Sequence, residues 1–355
     1  MYLSIQQDAP VLGAFSPCDR YGPVEGPPVG AWIESALFLS SPRFRPRSRC
    51  SRIARMKTHP SKEPKPFLKW VGGKTQLLPE LEGRLPDDFA DNVRVYSEPF
   101  VGGGALLFRI LARPNRLERV IVNDSNPDLA NAWRVVREAS AELIEALLRL
   151  QSEFRRLTEE DERKAFFLGV RGAFNAGHPC AETPDIGRAA QLLFLNRTCF
   201  NGLYRVNGKG LFNVPFGRYV NPSVCDEDNL RAVSVALQKV EIVSGDFEES
   251  VRDAGKGWFV YFDPPYRPIS ATSAFCDYTQ GGFNDDEQRR LADCCRQLDA
   301  KGCRWMLSNS DPPDGFFDEL YHGFRIERVQ AARAINSKGS GRGKISEIIV
   351  TNARG

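Results

Sequence analysis

Asp263-Pro264-Pro265-Tyr266 closes the apolar run FVYF, and this tetrapeptide concentrates more chemistry than any other part of the chain. Proline lacks an N–H and fixes φ, so a sheet ladder cannot continue past Phe262 and the turn behind it is stiff. The Asp263 carboxylate and the Pro264 carbonyl are thereby held as two adjacent acceptors, and an exocyclic aromatic amine has two donors to match them. Accepting both hydrogens draws the nitrogen away from its planar, conjugated state and frees its lone pair for attack. Tyr266 supplies a flat face beside them. A bare Asp-Pro-Pro reads better as a strand-ending turn with a surface acid; the full tetrapeptide after a buried strand favours chemistry, at the strand end where open α/β sheets place ligands.

A second constellation lies upstream. PFVGGGALLF follows a candidate strand, so Pro99 and Phe100 lead into a Gly102-Gly103-Gly104 turn that opens a helix and lets a ligand approach the backbone. Twenty residues beyond Gly104, at the end of the next strand, Asp124 is placed to bind ribose hydroxyls. Leu107 replaces the third glycine of the dinucleotide fingerprint and this turn has no Gly-Lys phosphate loop, which counts against NAD and ATP. S-adenosylmethionine has no phosphate to cradle, and a glycine turn with a ribose-binding acid fits it. In FLKWVGGKTQLLPEL, Trp70 and Lys74 surround a Gly-Gly turn where the lysine can pair with a cofactor carboxylate. In GDF, Asp246 can accept from an adenine amino group while Phe247 packs on the ring. Each piece alone also reads as a turn with a solvated charge.

Such residues need a parallel sheet to position them. From Phe67 onward strands and helices alternate, with strands expected at Val93–Glu98, Arg119–Asn123, Val240–Ser244, Trp258–Asp263, Arg304–Ser308 and Glu347–Thr351. Helical patterns fill 74–82, 104–112, 126–138 and 284–300. The alternation predicts an α/β, Rossmann-like fold. It stops between Ala139 and Leu237, which predicts an inserted, mainly helical domain (139–237) in a catalytic domain made of 56–138 and 238–355. Within the insertion, NGLYRVNGKGLFNVPFGRY reads as a β-hairpin turning near Asn207-Gly208.

Composition narrows the function classes. At 355 residues and 42% hydrophobic content the chain can bury a real core, and no apolar run is long enough to span a bilayer. Nine cysteines without a C-x-x-C pair point to a reducing, cytoplasmic setting. Three histidines, none at ligand spacing, argue against a metal centre or a His-based hydrolytic triad. Residues 1–55 hold seven arginines against four acids, which accounts for the whole net charge of +3 and leaves the remainder formally neutral. That Arg/Pro-rich segment has disordered composition. It reads either as a nucleic-acid arm or as an overlong start with Met56 the natural first residue; the second is preferred because folded patterning begins only after Met56.

From Arg188 to Cys225 there is no acid, while Arg197, Arg205, Lys209 and Arg218 alternate with Phe200, Tyr204, Phe212, Phe216 and Tyr219. Basic and aromatic interleaving suits phosphates and bases. Lys338 and Arg342, in ARAINSKGSGRGK, are candidates for DNA-backbone contacts, and Phe275, Tyr278 and Phe283 for a lid over a bound base.

Taken in order, KWVGGK, PFVGGG, VNDSN, NRTCFNGLYRVNGKGLFNVPFGRY, GDF and DPPY resemble the Dam-type, D12-class DNA adenine N6-methyltransferases, from about Pro66 to the C-terminus. The resemblance implies a methyltransferase sheet, S-adenosylmethionine contacts at Trp70, Lys74, Asp124 and Asp263, and a target adenine held by the DPPY residues. It implies that the insertion is the target-recognition domain and that the partner is double-stranded DNA. By resemblance, Phe200 and Asn201 enter the duplex near an extruded adenine, Arg205 reads a guanine edge, and the site is GATC. The residues alone leave cytosine N4, an adenine in RNA or a glutamine side chain open as the amine, and a non-catalytic DNA-binding regulator open as the rival class. Oligomeric state is not readable.

Overall fold

The computed structural model describes residues 63–70, 72–178, 183–268, 283–332 and 344–352. Lys338, Arg342, Phe275, Tyr278 and the N-terminal extension lie outside the described residues. A seven-stranded sheet runs in the order β3-β2-β1-β4-β5-β7-β6. Its strands are β1 (Val95–Glu98), β2 (Arg119–Asn123), β3 (Val240–Val243), β4 (Trp258–Phe262), β5 (Arg304–Ser310), β6 (Arg325–Ala332) and β7 (Lys344–Thr351). Strands β1 to β5 pair in parallel, and β7 lies antiparallel between β5 and β6. The winding proceeds outward through β2 and β3 on one side of β1 and through β4 and β5 on the other. The reversal between β1 and β4 opens a crevice beyond their carboxyl ends.

Central strands of a parallel sheet are buried on both faces and so read as continuous apolar runs. Phe259, Val260, Tyr261 and Phe262 of β4 fit this rule, each 3% exposed or less. Alternation sends Phe259 and Tyr261 into one core, and Val260 and Phe262 into a second on the opposite face. The main helices of the sheet domain are α1 (Leu78–Glu82), α2 (Ala105–Ala112), α3 (Pro127–Glu138) and, after the insertion, α8 (Asp285–Ala300). Asn126 caps α3 by accepting from the Asp128 and Leu129 amides, with Pro127 in the first turn. Asn284 caps α8 in the same way ahead of three acids.

Between α3 and β3 the chain forms α4 (Ser140–Arg156), α5 (Glu160–Ala176), α6 (Ile186–Thr198) and α7 (Glu227–Ala236). Helix α6 is hydrophobic nearly all round and is buried accordingly, with Phe194 in edge contact with Phe154 and Phe166. Its side chains join the same continuous core as Trp133 of α3 and Tyr96 of β1. A buried ion pair, Arg188 with Asp128, fastens α6 to α3, and Tyr204 donates to the other Asp128 oxygen at 3.3 Å. No described helix is long and apolar enough to cross a membrane.

Three local expectations differ from the structure. The 74–82 helix is broken into a 3₁₀ turn, Lys74–Gln76, and α1, because Pro79 sits at the start of α1. The hairpin turns at Asn207–Gly210 as expected, yet only isolated bridges join its arms, Val206 with Phe212 and Cys199 with Phe216. The Asn175 side chain takes both backbone groups of Phe212, donating to its carbonyl at 3.0 Å and accepting from its amide at 2.8 Å, in place of a longer ladder. Strand β6 had no sequence counterpart.

Candidate active site

Strand β4 ends at Phe262 and delivers Asp263 to the crevice beside β1. Lys74 Nζ lies 2.9 Å from Asp263 Oδ1, and Ser308 Oγ donates to that same oxygen at 3.1 Å. Oδ2 accepts no hydrogen bond from the described residues, and neither does the Pro264 carbonyl next to it. Burial pushes the Asp263 carboxyl above its ordinary range while Lys74 pulls it back. The lysine is 6% exposed, donates to the Gly72 carbonyl at 2.7 Å and sits 4.2 Å from the Tyr266 ring centre. Tyr266 is also fixed at its far end, where its hydroxyl donates to Glu347 Oε2 at 2.6 Å. Lys74, Asp263 and Tyr266, some 190 residues apart in sequence at the extremes, thus form one cluster.

Several members of this cluster were invisible to sequence reasoning. Glu98, the last residue of β1, is 2% exposed and accepts from the Tyr96 hydroxyl at 2.6 Å. Burial raises its carboxyl to about 8, with the Tyr96 hydrogen bond opposing and Asp263 adding repulsion. Glu347 is also raised by burial. Gln288 holds the Pro265 carbonyl and Asn309 the amide of Arg267, just after DPPY, and Ser308 links Asp263 to the Tyr261 hydroxyl, 2.9 Å away. Glu347 had one available signal, a carboxylate opening an otherwise apolar strand; the others had none.

On the cofactor side, Gly102 and Gly104 adopt left-handed φ of +47° and +67°. A Cβ on Gly102 would come within 2.8 Å of Trp70, and one on Gly104 within 2.6 Å of Trp133, so close packing demands glycine as much as the backbone does. Trp133 Nε1 donates to the Gly102 carbonyl at 3.1 Å. Asp124 accepts from the Gly102 amide at 3.2 Å and the Asn126 amide at 2.9 Å, one bond to each oxygen. Its carboxyl is pushed up by burial to about 6. Nearby, Asn123 spans from the Pro99 carbonyl at 2.9 Å to the Gly245 carbonyl at 3.1 Å. Trp70 stacks on Tyr204 with ring centres 5.3 Å apart.

Asp246 is already engaged: one oxygen caps the Phe247–Ser250 turn at the Glu248 amide and the other pairs with Arg290. Phe247 is 4% exposed, enclosed by Phe100, Phe283 and the Arg290 guanidinium, so Phe100 offers the more accessible ring.

The recognition candidates divide. Phe200 is 49% exposed, and Asn201, at φ +56°, turns outward beside it. Arg205 is exposed and donates to the Asn213 side chain at 2.7 Å; Lys209 is exposed at the hairpin tip. Arg218 is exposed, with Glu160 at 3.4 Å. Arg197 does not join them: its guanidinium turns inward to the Phe67 carbonyl at 2.8 Å and loses charge stability to burial, which draws it away from phosphate contact.

Comparison with known proteins bears on this arrangement directly. The profile of the D12 class N6 adenine-specific DNA methyltransferases matches residues 70–335. The chain is 50% identical over 292 residues to the type II methyltransferase M.MjaIII of Methanocaldococcus jannaschii, covering 82% of this chain and 99% of that protein. It is 43% identical over 290 residues to the type II methyltransferase M1.LlaDCHI of Lactococcus lactis subsp. cremoris, covering 81% and 95%. A DNA adenine methylase of Vibrio cholerae is 33% identical over 290 residues, covering 81% and 96%. A match of this extent, over a doubly wound sheet with DPPY at its switch point, places the chain in the family of D12 class N6 adenine-specific DNA methyltransferases.

Proposed function

We propose that this DNA adenine methyltransferase uses S-adenosylmethionine, acts on an adenine extruded from double-stranded DNA, and holds that base at Asp263, Pro264, Pro265 and Tyr266. The observation that carries the reading is the pair of open acceptors: Asp263 Oδ2 and the Pro264 carbonyl, both without donors among the described residues, while Oδ1 is saturated by Lys74 and Ser308. A target N6 amine brings two hydrogens to those two oxygens. Accepting them orients the nitrogen lone pair, and the excess proton leaves through Asp263 or solvent. Tyr266 offers the ring face away from Lys74 for stacking on the base, at the cost of a few kcal/mol that extrusion always requires. Positioning and electrostatics supply the catalysis.

When bound, S-adenosylmethionine supplies an electrophilic methyl on its sulfonium. The donor set fits it: a glycine turn with no phosphate cradle, the Asp124 carboxylate for ribose hydroxyls, Lys74 for the amino-acid end, and Trp70, Phe100 and the Asp246-Phe247 turn as walls. The assignment of Asp246 to the adenine amino group requires Arg290 to shift to Glu248 or Glu287, both already within 3.0 Å of it. Residues 139–237 serve as the target-recognition domain in this reading, with Phe200, Asn201, Arg205, Lys209 and Arg218 toward DNA and GATC as the site. Free cysteines among the described residues, buried except for the half-buried Cys225, support a cytoplasmic setting.

The test is transfer of labelled methyl from S-adenosylmethionine to unmethylated duplex DNA, followed by nucleoside analysis, with Asp263→Ala and Asp263→Asn in parallel. N6-methyladenosine that disappears in both variants supports the site; near-wild-type rates in both remove Asp263 from it.

A further inference from the structure

The DPPY turn poses a structural problem that the sheet itself cannot solve. Strand β5 continues to Ser310, three residues past the last β4 partner of the ladder, Phe262 with Leu307. Beyond Phe262 the two prolines offer β5 no N–H, so Pro264 and Pro265 cannot be held by backbone pairing. The prolines fix φ but leave ψ free, so the course of the turn from Pro265 to Arg267 still has to be held by side chains.

Two side-chain amides fill the gap. Gln288, on the inner face of α8, donates through Nε2 to the Pro265 carbonyl at 3.2 Å. Its Oε1 accepts from Asn309 Nδ2 at 3.1 Å. Asn309 Oδ1 in turn accepts from the Arg267 amide at 3.3 Å and the Ser310 amide at 2.9 Å. Ser310 Oγ closes the bracket on the Arg267 carbonyl at 2.7 Å. Gln288 and Asn309 are both 0% exposed, and each donates to one side of the bracket and accepts from the other. The chain of bonds therefore runs from Pro265 to Arg267 around the back of Tyr266, without touching Asp263 or the Pro264 carbonyl.

We propose that Gln288 and Asn309 are positioning residues for methyl transfer: a buried two-amide bracket that replaces the missing ladder and fixes the spacing of the two acceptors and the tilt of the Tyr266 ring. This rests on the reading of Asp263 to Tyr266 as the base-holding site. Burying polar amides in an apolar core is costly unless they are paired, and here the nitrogen and the oxygen of each amide find a partner through the bracket. Misplacement of reacting groups by about 1 Å costs on the order of 100-fold in rate.

The bracket has a direction, which gives a discriminating variant. Asn309→Asp keeps the acceptor for the Arg267 and Ser310 amides but removes the donor to Gln288. The Gln288 amide must then flip to donate to the new carboxylate, turning its oxygen against the Pro265 carbonyl. Gln288→Leu removes the bond outright, and Gln288→Met serves where leucine packs poorly. The experiment is single-turnover methyl transfer on duplex DNA, with cofactor affinity by calorimetry, thermal melting and Asp263→Ala alongside. We expect Asn309→Asp and Gln288→Leu each to lower the transfer rate about 10- to 100-fold, with cofactor affinity within about threefold of wild type. The double variant should be no slower than the worse single one, as for residues acting as a unit. Wild-type transfer rates in folded variants overturn the proposal, as do multiplicative losses or equal losses of rate and cofactor affinity. If Asp263→Ala itself transfers methyl normally, the underlying site assignment fails instead, and the two failures are told apart.

Discussion

Replacing Lys74 by methionine tests the electrostatics of the site most directly. Three carboxyls raised by burial, Glu98, Asp263 and Glu347, share the pocket with this lysine, the cation that lowers both Asp263 and Glu347. Lys74 Nζ is 2.9 Å from Asp263 Oδ1, with the two side chains 6% and 21% exposed. Unit charges at about 3 Å attract by about 5 kcal/mol at an effective dielectric near 20, part of which desolvation cancels. An opposite charge this close favours the ionised carboxylate, so losing it leaves burial unopposed by the lysine and raises Asp263 further. Asp263 must be ionised to accept hydrogens, so transfer is lost as pH falls through its folded pKa. In Lys74→Met that loss should begin at higher pH than in wild type. Single-turnover transfer at saturating cofactor and DNA, from about pH 5.5 to 9, separates this from weakened binding. Methionine keeps the stem that packs on Tyr266, so a change confined to amplitude, with the acid limb unmoved, would refute the electrostatic argument.

Other outcomes follow from the same geometry. Glu98 is held near 8, so the folded state keeps a proton that the unfolded chain releases near 4.5; stability therefore falls as pH rises from about 4.5 to 8. Glu98→Gln should flatten that fall, gaining up to about 4–5 kcal/mol above pH 8 in denaturant titrations and little at pH 4. Gly104→Ala must hold a left-handed φ and displace Trp133, which together cost about 2–5 kcal/mol; a melting temperature within about 2 °C of wild type would contradict the packing account. Arg205→Ala should reduce discrimination between the preferred site and single-base variants by about 1–3 kcal/mol, read as the ratio of methylation rates. Arg197→Lys should instead leave that ratio unchanged and lower thermal stability, because the guanidinium holds the Phe67 carbonyl.

Strand β4 was legible because its run of apolar residues matches burial on both faces, and Asp263 because prolines must end such a strand. The parallel order of β1 to β5 followed from alternation with helices. Strand β6 was not legible: RIERVQAA places Glu327 and Arg328 among apolar residues, as edge strands do, and blurs the period. Glu98, Gln288, Ser308 and Glu347 escaped for a different reason. Their relation to Asp263 is set by which strands and helices become neighbours in the sheet, and no local pattern encodes that adjacency. The same limit let Asp246 and Arg197 read as free ligands, since their partners Arg290 and Phe67 lie 44 and 130 residues away.

The insertion of β7 between β5 and β6 places one support of Tyr266 far along the chain from it. Tyr266 is anchored by Glu347, 81 residues further along the chain. At translation rates of about 5–20 residues per second, a nascent chain carries DPPY for about 4–16 s before Glu347 has been polymerised. Until β7 threads into its place, Tyr266 lacks its hydrogen-bond partner and β5 keeps an unpaired edge. A ribosome-bound or truncated chain ending before Glu347 thus carries DPPY without the hydrogen bond that holds the Tyr266 hydroxyl.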